Sequence, residues 1–158
     1  MPPQPDLITL SCPITEVANL YMPAFFFTSN DQSGVASMSK VLIVEDAPFI
    51  REMIRDILES HDHEIAGEAA NGLEAIEKYR LLKPDVVLMD ILMPGMDGLS
   101  AIMKIIEVDS KAKIIVVSAL VKEALRKEAL RAGAVDFVAK PFQVERLLEA
   151  VRAATTPT

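Results

Sequence analysis

From residue 40 onward, short runs of branched apolar residues alternate five times with stretches whose apolar residues recur every three or four positions. That alternation is the pattern of successive strand–helix units around a parallel sheet, because a strand covered on both faces must be apolar throughout, whereas its crossover helix needs only one apolar stripe. Residues 41–44 form the first run and end in acids. Ile50, Met53, Ile54, Ile57 and Leu58 then mark one face of a helix, with Pro48 tolerated in its first turn. A weaker strand is expected over 64–69. Asn71 and Glu74 have the spacing of an N-cap and its N3 glutamate, so a second helix opens there and runs to about residue 82. Residues 85–90 make the clearest strand, and the Pro-Gly-Met-Asp-Gly turn at 94–98 leads into a third helix near 99–107. A fourth strand over 113–118 precedes a helical stretch, 122–132, closed by Gly133 in the C-cap place. A fifth strand spans 135–139, and Val144, Leu147, Leu148 and Val151 mark the last helix. The expected fold class is α/β, a doubly wound, five-stranded parallel sheet.

This pattern does not extend to the first 37 residues. They contain no Lys or Arg, three acids, five of the ten prolines and four of the eight aromatics. The segment reads as a disordered or non-native extension, because Met38-Ser39-Lys40 directly before a strand resembles an ordinary protein start. Docking of its Phe25, Phe26 and Phe27 triplet on a partner or on the domain is the alternative. The domain is expected over 38–154, with 155–158 as a tail. No basic n-region precedes an apolar core, and no run of 18 apolar residues is present, so a secretory signal and a membrane span are not expected. A net charge of −7 opposes nucleic acid or an anionic membrane as the main partner. The single cysteine, Cys12, excludes an internal disulfide framework. A cytoplasmic protein is expected.

In an open parallel sheet, ligands bind at the carboxyl ends of the strands. Glu45 and Asp46 follow the first strand, Asp90 the third, Ser118 the fourth and Lys140 the fifth. Carboxylates gathered in this way repel one another, and a hard divalent cation, Mg²⁺ or Mn²⁺, would hold them all as anions. Lys140 and Ser118 would then face an additional anion such as a phosphoryl group. Each residue also has a plainer reading. Asp46 could cap the first helix, Lys140 could be a solvated turn residue, and Ser118 a loop hydroxyl satisfied by backbone. The conjunction of all five favours the cation site. His61-Asp62-His63 falls at the opposite edge and reads as a solvated loop.

These residues match a family pattern. Glu45-Asp46, Met89-Asp90-Ile91-Leu92-Met93-Pro94-Gly95-Met96-Asp97-Gly98, Ser118-Ala119 and Lys140-Pro141-Phe142 resemble the receiver domain of two-component response regulators, over about residues 40–154. Residues 47–58 and 133–143 look most like stand-alone chemotaxis regulators of the CheY type. The resemblance implies a flavodoxin-like (βα)5 fold with strand order 2-1-3-4-5. It makes Asp90 the phosphoacceptor for a sensor histidine kinase of the chemotaxis type. Asp46, Asp90 and the Leu92 backbone carbonyl would bind Mg²⁺, with Glu45 acting through a metal-bound water. Lys140 would pair with the acyl phosphate, Ser118 would move to hydrogen-bond it, and Phe137 would turn inward as the aromatic switch. The Lys140–Pro141 bond is expected to be cis. A motor-switch or adaptor protein would read the face of helix 4, strand 5 and helix 5, and a phosphatase could act on the product. The protein would be a phosphoacceptor switch rather than an enzyme in the ordinary sense, and a monomer.

Other classes fit less well. A haloacid-dehalogenase-type enzyme needs a general acid two residues after the nucleophile, where Leu92 stands. A flavin carrier needs a hydroxyl- and glycine-rich loop after strand one, where Glu45-Asp46-Ala47-Pro48 would repel the phosphate. A receiver in a non-chemotaxis phosphorelay, or one serving only as an interaction module, is the remaining alternative, although the latter typically lacks the acceptor or the lysine. Two departures from the family pattern matter. Glu45 stands where many members have Asp, and Leu92 and Leu120 are apolar where fast-cycling members carry polar groups that place the attacking water. Self-dephosphorylation is therefore expected to be slow, and Leu120→Glu to accelerate it. A phosphate-release time course with the same rate for both proteins would refute this.

Overall fold

The computed structural model describes residues 38–157. The cation-free segment, with Cys12 and the phenylalanine triplet, lies outside the described residues. Five strands, β1 (Lys40–Val44), β2 (Glu64–Ala69), β3 (Val86–Met89), β4 (Ile114–Ser118) and β5 (Asp136–Ala139), form one parallel sheet in the order β2-β1-β3-β4-β5. The helices between and after them are α1 (Pro48–Glu59), α2 (Gly72–Leu82), α3 (Gly98–Val108), α4 (Glu123–Ala132) and α5 (Val144–Thr155). The order is the one the resemblance implies.

Alternation along each strand sorts the core into two layers. Val41, Ile43, Val86, Leu88, Ile115 and Val117 point to one face and pack on Ile54 and Leu58 of α1 and Leu147, Leu148 and Val151 of α5. Leu42, Val44, Val87, Met89, Ile114 and Val116 point to the other, against Ala75, Ile76 and Tyr79 of α2, Ala101, Ile102 and Ile105 of α3, and Ala129 of α4. Each such fully buried aliphatic side chain contributes about 1.5–3 kcal/mol relative to exposure. The weak strand in the sequence is β2, an edge strand that is only partly buried until Ala69. Covered on fewer sides, it needs fewer apolar residues.

Local chemistry sets the ends of the elements. Asn71 caps α2 by accepting from the Glu74 amide at 3.0 Å, and the Glu74 carboxylate reaches back to the Ala70 amide at 3.3 Å. Asp97 caps α3 through the Ser100 amide at 2.8 Å. Gly133 closes α4 at φ 118°, a left-handed conformation that a side chain would disfavour. Gly98 has a different reason: a Cβ there would lie 2.1 Å from the Asp90 carbonyl oxygen, so only glycine lets α3 start against the end of β3. The third strand spans only its apolar run, shorter at each end than the expected 85–90, and the Asp85 carboxylate beside it accepts from the Lys40 amide at 2.7 Å. The last helix runs through Thr155, one residue past the expected domain end.

Between α2 and the end of α3, the Tyr79 hydroxyl donates to Asp109 Oδ2 at 2.8 Å. Burial, then this bond, pushes the Tyr79 phenol up. The Lys111 amide, then the Tyr79 hydroxyl, holds Asp109 below the usual carboxylate range. A depressed carboxylate adds stability above its unfolded pKa and loses it as pH falls through the folded value. Tyr79→Phe should therefore lower the urea midpoint at pH 7, and the gap to wild type should narrow below about pH 4. Denaturation curves at pH 7 and pH 3.5 check this.

Candidate functional site

Where β1, β3, β4 and β5 end, five polar side chains, Glu45, Asp46, Asp90, Ser118 and Lys140, gather at one edge. Glu45 is 3% exposed, Asp90 5% and Ser118 fully buried, while Asp46 is partly exposed. Main-chain bonds fix the acids: the Glu45 amide donates to the Ala69 carbonyl at 3.0 Å and the Asp90 amide to the Val44 carbonyl at 2.9 Å. One carboxylate oxygen from each of Glu45, Asp46 and Asp90 lies within 4.8 Å of the others. Carboxylates this close repel one another, and a cation placed among them would relieve that repulsion.

Lys140 supplies one positive charge. Its Nζ donates to Glu45 Oε2 and sits 3.4 Å from Asp90 Oδ2. Its amide donates to the Ser118 carbonyl at 2.8 Å, and the bond to Pro141 is cis, as the resemblance implies. Burial holds the Glu45 carboxyl above the usual carboxylate range, the Lys140 hydrogen bond opposes this, and the Asp90 charge adds to the rise. Oxygen donors this close, and with a surplus of negative charge after Lys140 is counted, have the chemistry of a hard divalent cation site.

Asp46 does not cap α1, because Ala47 occupies the N-cap place and no side chain bonds there. Lys140 is no solvated turn residue, at 16% side-chain exposure with two carboxylates in reach. In this structure it faces Glu45 and Asp90 directly. Ser118 is satisfied by backbone, its Oγ accepting from the Leu120 amide at 3.1 Å. Phe137 is 8% exposed and packs in the α2–α3–α4 layer, so its ring already faces inward. The Leu92 amide donates to Asp90 Oδ1 at 3.3 Å, which sets Leu92 beside the acid while its own side chain is 53% exposed. A cleft of about 490 Å³ opens next to Asp46, lined also by Asn71, Leu73, Pro94 and Met96.

His61 and His63 stay far from this in the sequence of the fold, in the turn that leads into the opposite end of β2. His61 is exposed and His63 half-buried, and burial lowers the His63 imidazole. Sequence reasoning missed a second ionic group. Arg51 donates from Nη1 to the Glu45 carbonyl at 2.7 Å and from Nε to Glu68 Oε2 at 3.0 Å. Arg51 reads as an ordinary charged residue on a helix, and nothing in its spacing points to Glu68.

Comparison with known proteins agrees with the geometry. Residues 41–152 match the response regulator receiver domain. The chain is 54% identical over 112 residues to the chemotaxis protein CheY of Thermotoga maritima, covering 71% of this chain and 93% of that one. It is 48% identical to CheY of Bacillus subtilis over 112 residues, 71% of this chain and 93% of that one. A chain from the CheX–CheY–BeF3–Mg complex of Borrelia burgdorferi superimposes with a TM-score of 0.72 at 38% identity, covering 75% of this chain and 90% of that one. No helix among the described residues is long and apolar enough to cross a membrane. The chain therefore belongs to the response regulator receiver domain family, among regulators of the CheY type.

Proposed function

We propose that this phosphorylation-activated response regulator takes its phosphoryl group on Asp90 from a histidine kinase and reports it by a change of conformation, in control of chemotaxis. The observation that carries the reading is Lys140 in reach of both Glu45 and Asp90, with Asp46 completing an acidic triad around them. In the proposed step an Asp90 carboxylate oxygen attacks the phosphorus of a phosphohistidine. The P–O bond forms as the P–N bond breaks, and the departing imidazole nitrogen keeps the electron pair. Phosphoryl transfer asks for in-line positioning and charge neutralisation more than covalent machinery, and Lys140 at 3.4 Å from Asp90 Oδ2 supports the second.

Asp46, Asp90 and the Leu92 carbonyl would hold Mg²⁺, or Mn²⁺, with Glu45 reaching it through a water. Bound there, the cation would supply positive charge for the phosphoryl oxygens. Lys140 would exchange Glu45 for the acyl phosphate, and Ser118 would release the Leu120 amide to donate to the same group. Phe137, expected to turn inward when Ser118 moves, already has its ring in the core and would keep that place in this arrangement. The altered α4–β5–α5 face would then meet a motor-switch or adaptor protein, and a phosphatase would reset the switch. The CheY relatives support a chemotaxis kinase as donor, and the Borrelia chain was solved with CheX. The working domain in this reading is 38–154, with 1–37 outside it, acting as a cytoplasmic monomer.

Intact mass after incubation with Mg²⁺ and a small phosphodonor tests the acceptor. Wild type should gain one phosphoryl mass and Asp90→Asn none; gain in neither, or equal gain in both, overturns it. Lys140 carries a second expectation, because removing it leaves buried carboxylates without a counter-charge. Lys140→Met should lower unfolding free energy at pH 7 by up to about 3–5 kcal/mol, and adding Glu45→Gln should recover part of the loss. Denaturant melts of wild type, the single variant and the double variant measure it.

A further inference from the structure

Asp46 poses a placement problem. Among the described residues its carboxylate has no hydrogen-bond or ion-pair partner, unlike those of Glu45 and Asp90. Its position therefore depends on its main chain. The Glu45 carbonyl belongs to the peptide that joins Glu45 to Asp46, and the Arg51 guanidinium donates to that oxygen at 2.7 Å. From the other side of the same turn the Ala47 amide donates to Glu45 Oε1 at 3.1 Å. Arg51 is itself held, its Nε donating to Glu68 Oε2 at 3.0 Å while Arg55 Nη1 lies 2.9 Å from Glu68 Oε1. Lys78 of α2 donates to the Glu68 carbonyl as well. Three cationic side chains, from two helices, thus converge on one residue of the edge strand.

We infer that Arg51, fixed by Glu68, is a positioning residue for the cation site: it sets the Glu45–Asp46 peptide so that both carboxylates face Asp90. The inference rests on the reading of the acidic triad as a Mg²⁺ site. A planar guanidinium suits this task because its fork can donate to a carbonyl and to a carboxylate at fixed angles, whereas an ammonium is a single point donor. Arg51 is partly buried, with 21% side-chain exposure, so the clamp is better shielded from solvent than a surface pair. It touches neither the acceptor nor the phosphodonor in the proposed reaction. Its effect passes through Glu45 and Asp46.

Groups that orient metal ligands without touching the metal change affinity by about 10–100-fold when removed. Calorimetric titration of the full chain with Mg²⁺ alone should therefore show at least about 10-fold weaker binding for Arg51→Met, a smaller loss for Arg51→Lys, and an intermediate loss for Glu68→Gln. At saturating Mg²⁺ the phosphorylation rate of Arg51→Met should return most of the way to wild type, which a general loss of fold would not allow. Circular dichroism melts of the same proteins exclude unfolding at the assay temperature, and Glu68→Gln serves if Arg51→Met does not fold. Equal Mg²⁺ affinity for wild type, Arg51→Met and Glu68→Gln overturns the positioning role and leaves the cation site standing. Absence of Mg²⁺ binding by wild type overturns both.

Discussion

One ammonium group opposite buried carboxylates constrains everything else at the site. Lys140 leaves the end of edge strand β5, and Glu45 leaves the end of β1, three strand intervals away in the order β1-β3-β4-β5. At the usual spacing that is about 14 Å across the sheet. The two long side chains meet above β3 and β4, and each needs its length. A Glu rather than an Asp at 45 has a physical consequence here, since the extra methylene extends the acid toward the lysine. The contact also explains why Glu45 can be nearly fully buried: without a cation in reach, desolvation would favour its neutral form. Burial still pushes its carboxyl up, so the compensation is incomplete.

The parallel sheet brings these groups together, and much of that was legible in the sequence. Residues 41–44, 86–89 and 114–117 are apolar at every position because they lie inside the sheet under helices on both faces. An uninterrupted apolar run followed by an acid or a hydroxyl therefore locates both a strand and a site residue. The edge strand β2 gave a weaker signal for the same reason reversed. Its EIAGEA sequence carries two acids that a central strand could not accommodate. One of them, Glu68, became the hub for Arg51, Arg55 and Lys78.

What the sequence did not disclose depended on three-dimensional pairing. The acids at strand ends follow from topology alone, but the choice of Glu45 as the direct partner of Lys140 depends on side-chain reach across strands that are distant in sequence. Arg51 and Glu68 are 17 residues apart with no periodic relation. Gly98 was legible as part of a turn, yet its requirement comes from the Asp90 carbonyl packed against it. Asp97 and Asn71, by contrast, act on residues three positions away and were readable as helix starts or turn residues. Local chemistry was recoverable from local sequence, and long-range polar contacts were not.

The same polar contacts bear on how the proposed switch could carry a signal. Ser118 is joined to β5 through the Lys140 amide and to the β4–α4 loop through the Leu120 amide. In the proposed switch its hydroxyl gives up a neutral hydrogen bond, worth about 0.5–1.5 kcal/mol net, for one to a charged phosphoryl oxygen, worth about 1.5–3 kcal/mol. The gain of about 1–2 kcal/mol from that exchange alone shifts a two-state equilibrium by only about 5–30-fold. Moving a population from 1:99 to 99:1 requires about 5.5 kcal/mol. The serine cannot supply this by itself. The remainder would have to come from Lys140, which is bonded to Glu45 in one arrangement and to the phosphoryl group in the other; the Phe137 ring, already buried before the switch, adds no difference between the two. In the proposed switch the lysine that faces the acidic site would thus also be the group whose change of partner has to supply most of the driving free energy.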